Sequence, residues 1–271
     1  MNVAVGNFLA RGRVRSVPGL RAADGWGCDR LSDMSTRRTA ELLAAEHLSP
    51  TVKAFAFRCT DGEPLAFVAG QWVNFDVPTD QGVLRRAYSI ASPPDVQHPE
   101  RFEIAVTRVE DGGSVSRALH GLEPGAQLAI DGPHGFFTRE RERDLPALFV
   151  GTGTGVCPLR AMIGDELRAP TGPKLTLLFG VRTEADVLWR EQLEGWARDH
   201  PRLSLHVTLS RPASDWHGLR GYVQHHLPQL VEPPGPHVYV CGLTKMITEV
   251  RRTLKQDLGY DRRMIHSERY D

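Results

Sequence analysis

Residues 85–92 read Arg-Arg-Ala-Tyr-Ser-Ile-Ala-Ser and place three chemically different groups on one extended segment. The fork of donors on Arg86 suits phosphate oxygens, and the ring of Tyr88 offers an apolar face on which a planar ligand can stack. The Ser89 hydroxyl suits the polar edge of such a ring. These residues favour a ligand that joins a pyrophosphate to a flat ring system. An amphipathic strand with an exposed arginine stays open from this stretch alone.

Residues 111–121 contain two glycines followed by the start of a predicted helix. Ser114 is expected to cap a helix over Val115–His120, which Gly121 ends. The free N–H groups at a helix start attract anions. Taken alone, the segment is more typical of a plain capped helix, but beside the Arg86 segment it favours binding of the same pyrophosphate.

The run Gly151–Gly155, Gly-Thr-Gly-Thr-Gly, follows an apolar strand and precedes a helix that opens near Pro158. Such a loop lets the backbone approach a pyrophosphate. Its third glycine stands one position early for the common dinucleotide fingerprint, and a plain strand-to-helix turn is the alternative. Further along, Ser210-Arg211 ends another strand and suits a dianionic phosphate. Cys241-Gly242 ends a later strand, where a role in a site is favoured over that of a small buried apolar residue.

Two patterns of elements position these residues. Between residues 39 and 138, about six strands follow one another at short spacing, which predicts an antiparallel six-stranded Greek-key β-barrel. After residue 145, apolar strands alternate with helices, which predicts an α/β Rossmann-like domain with a parallel sheet. The predicted domains are therefore 36–138 and 145–271, joined by the charged run Arg139–Asp144. Residues 1–35 lack a strand or helix period and are expected to be a disordered extension. Within the α/β half, Thr183 and Asp186 have the spacing of a capping box, which predicts a continuous helix that starts there and runs to Trp196.

Composition argues against several classes of function. Among 271 residues, Lys+Arg and Asp+Glu balance at 33 each, so no overall field suggests nucleic acid as a partner. No apolar run reaches membrane-spanning length. The four cysteines stand far apart, and neither they nor the histidines show metal-ligand spacing, so no metal site and no intrinsic iron–sulfur cluster is expected. Widely spaced thiols fit a reducing cytoplasm, which is the expected location.

Several ordered motifs resemble the ferredoxin–NADP(+) reductase superfamily, from about Thr39 to Asp271. The matching residues are Arg86-x-Tyr88-Ser89, Gly113-x-x-Ser116-x-x-Leu119, the glycine loop with residues 157–160, Phe179–Arg182, Cys241-Gly242 with Met246, and Glu268-x-Tyr270. The resemblance implies a flavoenzyme with an FAD-binding barrel and an NAD(P)-binding α/β domain. FMN stays open as the less favoured flavin.

By this resemblance, each motif has a ligand. The flavin is implied at Arg86, Ala87, Tyr88 and Ser89, its pyrophosphate at Gly113, Ser114, Val115 and Ser116, and Tyr270 stacks on its ring. The NADP(H) site is implied at Gly151, Thr152, Gly153, Thr154, Gly155, Pro158, Arg182, Ser210, Arg211, Cys241, Gly242 and Met246, with Arg220 as a further candidate. Catalytic roles are implied for Ser89, Cys241 and Glu268. Because Asp271 adds one residue beyond the family's usual end, a surface role for Tyr270 stays open.

The implied activity is hydride transfer between NADPH and N5 of FAD, with single electrons passed to or from a separate carrier such as ferredoxin or flavodoxin. NADPH is favoured over NADH because Ser210-Arg211 suits a 2′-phosphate. An NADH-dependent oxygenase-reductase component and a free-flavin reductase are the enzymatic alternatives. A flavin-containing electron-transfer or redox-sensing subunit without turnover is an alternative of another class, which the intact glycine loop disfavours.

Overall fold

The computed structural model describes residues 37–111, 113–231 and 235–270. The predicted extension, residues 1–35, therefore lies outside the described residues, as do Thr36, Gly112, residues 232–234 and Asp271. Within the described part of the chain, no helix is long and apolar enough to cross a membrane.

The first half of the described chain forms one antiparallel sheet of six strands with a short helix. Its strands run in the order β4-β3-β6-β1-β2-β5. Alternation of apolar residues explains the strands, since in β3 the side chains of Val73, Phe75 and Val77 are buried while those between them are more exposed. The elements are β1 (Arg38–His47), β2 (Val52–Cys59), β3 (Trp72–Thr79), β4 (Gly82–Ser89), β5 (Arg101–Thr107), α1 (Ser114–His120) and β6 (Gln127–His134).

This sheet curls around an aromatic core. Phe55, Phe57 and Phe75 are fully buried, and the rings of Phe57 and Phe75 lie 5.0 Å apart. Just beyond β4, the backbone N–H of Ala91 donates to the carbonyl of Glu103 on β5 at 2.6 Å, which brings the two ends of the sheet together. The predicted antiparallel barrel is therefore confirmed.

The second half forms a parallel sheet of six strands with the order β10-β9-β8-β7-β11-β12. Every pair in it is parallel, and helices connect most of the strands, so the predicted α/β fold is confirmed. The elements are β7 (Ala147–Thr152), α2 (Val156–Leu167), β8 (Leu175–Val181), α3 (Arg190–Asp199), β9 (Leu203–Leu209), β10 (Leu219–Arg220), α4 (Leu227–Leu230), β11 (His237–Gly242), α5 (Thr244–Arg252) and β12 (Ile265–Arg269).

Single helical turns occupy several connections. The 3-10 turns are Glu140–Glu142, Gly153–Gly155, Glu184–Asp186, Val223–His226 and Arg262–Met264, and a wider turn, Thr253–Asp257, continues α5. Because the chain runs from β7 to β8 on one side and later returns to β11 on the other, the strand order reverses at β7. Ligands of open α/β sheets bind beyond the carboxyl ends of the strands at such a reversal. In this chain the glycine loop follows β7 at that place.

The helix predicted to start at Thr183 begins later than the capping box indicates. Thr183 and Asp186 do form the predicted capping box, but it caps only the 3-10 turn Glu184–Asp186. Helix α3 begins at Arg190, after Trp189 has adopted a left-handed backbone conformation with φ of 49°. The expectation of a continuous helix from Thr183 is therefore wrong, because the chain turns once more before α3 starts.

Candidate active site

A cluster of polar groups joins the two halves of the molecule. Ser89 ends β4 of the barrel, and its Oγ donates to Oε1 of Glu268 on β12 at 3.3 Å. The hydroxyl of Tyr270 lies 3.3 Å from the same Oγ and donates to the carbonyl oxygen of Thr154 at 3.1 Å. The structure thus brings together predicted site residues from three separate motifs.

The position of Glu268 follows from strand pairing. Strand β12 lies beside β11 in parallel register, with Cys241 opposite Glu268. Neighbouring residues in register present their side chains to the same face of a sheet, so the thiol lies on the same face as the carboxylate that bonds Ser89. The Cys241 thiol also interacts with the Tyr270 hydroxyl. Two adjacent strand ends thereby supply three of the predicted site residues.

Burial controls the charge of this cluster. Desolvation raises the pKa of the Glu268 carboxyl to about 7, and the hydrogen bond from Ser89 opposes this shift only in part. Burial likewise raises the pKa of the Cys241 thiol well above its ordinary value. At neutral pH, Cys241 is therefore a protonated thiol rather than a nucleophilic thiolate, while Glu268 can exchange a proton.

Strand β4 presents the predicted flavin motif at the edge of the barrel sheet. Arg86 is exposed, and its Nη1 donates to the carbonyl of Arg85 at 2.8 Å. Tyr88 is half-buried, with its ring centre 6.0 Å from that of Phe75, and desolvation raises its pKa to about 12. Ala87 between them is exposed. The strand thus offers a cation and a ring on one of its faces, at the side chains of alternate residues.

In the segment predicted to bind the pyrophosphate, hydrogen bonds of Ser116 connect helix α1 to the loop before it. The Ser116 hydroxyl donates to the carbonyl of Gly113 and accepts the backbone N–H of Val109, both at 3.0 Å. Helix α1 begins at Ser114 with Gly113 as its N-cap, and no side chain caps it, so the expectation that Ser114 caps the helix is wrong. Ser116 instead bonds the loop before the helix. Val115 is buried and anchors the helix in the core.

A cleft of about 540 Å³ opens at the carboxyl ends of the parallel strands. The predicted residues that line it are Thr152, Gly153, Thr154, Arg182, Ser210, Gly242, Met246 and Tyr270. Gly151, Gly155, Pro158, Arg211 and Cys241 do not line it. The barrel contributes one wall, through Ser49, Thr51, Val52 and Thr107. The cleft is therefore shared by both halves of the molecule.

The glycine loop is shaped by close backbone contacts. A Cβ on Gly155 would lie 2.2 Å from the carbonyl oxygen of Cys241, so only glycine fits where the loop meets β11. Gly153 has a positive φ of 53°, and a Cβ there would meet nothing within 4 Å. Gly155 therefore serves the packing, and Gly153 serves the turn that faces the cleft.

The ends of β8 and β9 carry a pair of arginines at the rim of the cleft. The N–H of Ser210 donates to the carbonyl of Val181, and the N–H of Arg211 donates to that of Arg182. Both arginines are exposed, and among the described residues neither guanidinium has an ion-pair partner. Arg220, the third candidate, instead donates through Nη2 to the carbonyls of Ala213, Ser214 and Trp216.

Several residues that line the cleft belong to none of the motifs identified in the sequence. They are Gly221, Tyr222, Val223, Gln224, Leu243, Lys245 and Glu249. The exposed apolar residues among them, Tyr222 and Leu243, are 63% and 60% exposed. Both follow the end of a strand, so the rule that ligands bind beyond strand carboxyl ends could have identified them.

His237 and His266 come together away from the cleft, near Glu142. Nδ1 of His237 lies 3.0 Å from Nε2 of His266, and the ring centres are 5.3 Å apart. These two distances place both nitrogens on the line that joins the ring centres. The nitrogens therefore face each other, as in an N–H···N hydrogen bond, whereas two ligands of one ion would both point at a third position. The expectation that the chain has no metal site stays a prediction.

The residues fit a flavin and a nicotinamide nucleotide. The unpaired guanidiniums suit phosphate oxygens, and the glycine positions bring the backbone close to the cleft. The cleft is bounded by both barrel and sheet, and Tyr270, which lines it, bonds to Ser89 at the end of the predicted flavin motif. The donor set and the crowding at Gly155 are thus those of a dinucleotide site between two domains.

Comparisons with known proteins agree with this geometry. Residues 39–138 match the family model of the oxidoreductase FAD-binding domain, and residues 149–252 match that of the oxidoreductase NAD-binding domain. The chain is 48% identical over 239 residues to ferredoxin–NADP reductase B of Sorangium cellulosum, with 86% of this chain and 97% of that protein covered.

Two further comparisons bear on fold and function. The phenol hydroxylase P5 protein of Acinetobacter pittii is 31% identical over 235 residues, which cover 85% of this chain but 65% of that protein. A ferredoxin–NADP(+) reductase structure from Neisseria gonorrhoeae, with bound FAD and NADP, shares the fold with a TM-score of 0.73 at 20% identity, covering 87% of this chain and 99% of that one. The chain belongs to the ferredoxin–NADP reductase family of oxidoreductases and carries its FAD-binding and NAD(P)-binding domains.

Proposed function

We propose that this protein oxidises NADPH with a bound FAD and passes the electrons singly to a separate carrier of the ferredoxin or flavodoxin type. The observation that carries the proposal is the contact of Ser89 with Glu268 and Tyr270 at the wall of the shared cleft. It places the end of the flavin motif beside the carboxyl end of the nucleotide-binding sheet. The similarity to a ferredoxin–NADP reductase over nearly its whole length supports the same assignment.

The barrel residues hold the flavin in this proposal. Arg86 neutralises the pyrophosphate, together with the backbone from Gly113 to Ser116 at the start of α1. Tyr88 packs against the flat ring, and Ser89 donates a hydrogen bond to its polar edge. Ala87 contributes a small side chain that leaves room for the ligand beside the strand.

The nucleotide-binding half supplies the second ligand site. The backbone of Gly151–Gly155 receives the pyrophosphate of the nucleotide, and Pro158 lies in the first turn of helix α2, which follows the loop. Gly242 forms the floor where the nicotinamide enters, with Cys241 buried just before it on β11, and Met246 packs against that floor, since a Cβ on Gly242 would lie 2.6 Å from its Cε. When bound, FAD accepts a hydride from the nicotinamide and releases single electrons. The protein's part is to align the two ligands and keep water away.

Glu268 handles the proton in this arrangement. Its carboxyl, with a pKa of about 7, can hold or release a proton at neutral pH, and Ser89 connects it to the ring edge by a hydrogen bond. Tyr270 covers this contact, because its hydroxyl bonds both to Ser89 and to Thr154. Entry of the nicotinamide therefore requires Tyr270 to leave that position.

Ser210 and Arg211 give the proposed preference for NADPH. Arg211 and Arg182 follow neighbouring strand ends that a backbone hydrogen bond joins, and both are exposed, which suits a 2′-phosphate of two negative charges. NADH lacks that phosphate and gains nothing from them. Arg220 is not assigned to the nucleotide, because its guanidinium already donates to three carbonyls.

An anaerobic titration of the full-length protein, reconstituted with FAD, tests the proposal. Bleaching of the flavin absorbance by NADPH at concentrations about 10-fold or more below those needed with NADH supports it, and Arg211→Ala should abolish that preference. Arg198→Ala, at an exposed arginine on α3, is the matched control. Preference for NADH would contradict the cofactor assignment, and a flavin that neither nucleotide bleaches would contradict the enzymatic function.

A second candidate is the reductase component of an oxygenase. The similarity to the phenol hydroxylase P5 protein favours it, although this chain spans only 65% of that protein's length. Purified ferredoxins, flavodoxins and free FMN, each offered to the NADPH-reduced protein, separate the candidates. Rapid reoxidation by a ferredoxin or flavodoxin supports the first, whereas rapid reduction of free FMN alone would point to a free-flavin reductase.

A further inference from the structure

Arg160 on helix α2 connects the two halves of the molecule. It is 5% exposed, and its Nη1 donates to the carbonyl of Ala91 at 2.8 Å and to Oε2 of Glu103 at 3.3 Å. Its Nε donates to Oε1 of Gln192 on α3 at 2.6 Å. One buried guanidinium thus bonds two segments of the barrel and one helix of the parallel sheet's domain.

Trp189 completes this contact from the same side. The Arg160 guanidinium lies over its ring, with Cζ 4.3 Å from the ring centre. The indole Nε1 donates to Oε1 of Glu103 at 3.0 Å. Both carboxylate oxygens of Glu103 are therefore bound by groups of the nucleotide-binding half. Two hydrogen bonds from two separate side chains, one to each oxygen, fix the orientation of this carboxylate as well as its distance.

The bonded backbone belongs to the active site. Ala91 follows Ser89 in the same extended segment, is fully buried, and also donates its N–H to the carbonyl of Glu103. At the other end, α2 begins directly after the glycine loop. Gly164 in the same helix lies close to Pro93, since a Cβ on it would lie 3.1 Å from Cγ of the proline. The segment that holds Ser89 is thereby held against the helix that follows the glycine loop.

We propose that Arg160 is a positioning residue that sets the distance and angle between the two ligand sites. This inference rests on the proposed function, because it concerns the alignment of the flavin and the nicotinamide. Each half builds its own ligand site from its own backbone, so loss of Arg160 leaves the affinities for FAD and for NADPH unchanged. Alignment of the reacting rings depends on how the halves meet, and small displacements there lower hydride-transfer rates strongly.

Arg139 offers a matched control. It is also buried, at 4% exposure, and pairs with Glu166 on α2 at 3.0 Å. It also bonds to the carbonyls of Arg143 and Leu145 and to the side chain of Tyr239 on β11. None of these partners belongs to a strand of the barrel. Arg160→Met and Arg139→Met both remove a buried charge from a buried partner, but only the first removes bonds between the halves.

Two measurements on the full-length protein test the proposal. In stopped-flow experiments, Arg160→Met should retain FAD and bind NADPH within about twofold of wild type, while flavin reduction at saturating NADPH slows at least about 10-fold. In the flavin-free protein, amide hydrogen exchange over residues 89–93 should accelerate at least about 10-fold. Arg139→Met should lower the thermal midpoint without slowing flavin reduction beyond about twofold.

The outcomes separate this inference from the proposed function. If NADPH does not reduce the wild-type flavin, the proposed function fails, while hydrogen exchange still reports whether Arg160 couples the halves. Unchanged exchange at residues 89–93, or equal slowing of flavin reduction in both Met variants, would overturn the inference. Should Arg160→Met fail to fold, Arg160→Lys and Trp189→Phe replace it. Each removes part of the contact and should slow reduction at saturation with little change in NADPH affinity.

Discussion

The Tyr270 hydroxyl lies 3.3 Å from Oγ of Ser89, although 181 positions separate the two residues in the chain. The same hydroxyl reaches the carbonyl of Thr154 in the glycine loop at 3.1 Å. A single side chain near the C-terminus therefore contacts both ligand-binding halves where their ligands are proposed to meet. Ser89 is the shared partner, since it also donates to Glu268.

Removal of the Ser89 hydroxyl should slow flavin reduction without releasing the flavin. Ser89→Ala loses one hydrogen bond at the reacting edge, worth about 1.5–3 kcal/mol when the partner carries charge, which corresponds to a rate reduced roughly 10- to 100-fold. Stopped-flow absorbance with saturating NADPH measures this rate. Ser204→Ala on β9 is the matched control and should react like wild type. An unchanged rate in Ser89→Ala would contradict the role proposed for this hydroxyl.

Glu268 should make stability fall as the pH rises toward neutrality. In the folded chain its pKa is raised from 4.5 to about 7 by burial, so the folded state binds more protons than the unfolded state between these values. Stability from this group is thus greatest below pH 4.5 and declines up to about pH 7, by roughly 1–3 kcal/mol. Glu268→Gln does not titrate and should lose this decline.

Urea unfolding of the flavin-free protein at a series of pH values checks the Glu268 prediction. The pH dependence of the midpoint should be weaker in Glu268→Gln than in wild type, and the exposed control Glu123→Gln should keep the wild-type dependence. Flavin reduction offers a second readout, because loss of a proton-exchanging group should flatten the rate profile around pH 7. Identical profiles for wild type and Glu268→Gln would remove Glu268 from proton handling.

Local patterns were enough to predict much of the fold. The alternation in β3 and the apolar runs of the parallel strands are properties of single segments, so the barrel and the α/β sheet follow from them. The start of α3 did not follow, because the chain conformation at Trp189 depends on its packing and its hydrogen bond to Glu103 in the barrel. A capping box identifies a helical turn but not the length of the helix.

The candidate site likewise contains residues that local patterns predict and residues that they do not. Arg86, Tyr88 and the glycine loop can be identified from the spacing within single segments, since each is proposed to bind one ligand group. The barrel wall of the cleft, with Ser49 and Thr51, and the bonds of Arg160 depend on how two independently patterned halves meet. No periodicity within one segment encodes that contact. Ser116 is intermediate: its motif predicted a phosphate role, whereas its hydroxyl is used to close the loop.

Arg86 should contribute to flavin affinity and little to folding. Its guanidinium is exposed and bonds only the neighbouring carbonyl of Arg85, so Arg86→Ala should leave the thermal midpoint of the flavin-free protein nearly unchanged. Loss of a charge-assisted contact to phosphate should weaken FAD binding roughly 10- to 100-fold.

Arg85→Ala serves as the opposite control to Arg86→Ala. Arg85 pairs with Asp76 at 2.7 Å and with Asp131 at 3.5 Å, so its loss should affect stability more than flavin affinity. Fluorescence titration with FAD and thermal unfolding of both variants measure the two effects. Wild-type FAD affinity in Arg86→Ala would remove this residue from the flavin site.

Two glycines of the same loop should respond differently to a methyl group. In Gly155→Ala the new Cβ would lie 2.2 Å from the backbone carbonyl of Cys241, which cannot move without displacing β11. We expect a destabilisation of roughly 3 kcal/mol and loss of NADPH binding. In Gly153→Ala the methyl group meets nothing within 4 Å, and only the positive φ of 53° costs energy, about 1 kcal/mol. Thermal unfolding should rank the two variants in this order, and the reverse order would show that strain in the turn, rather than packing against β11, fixes the loop.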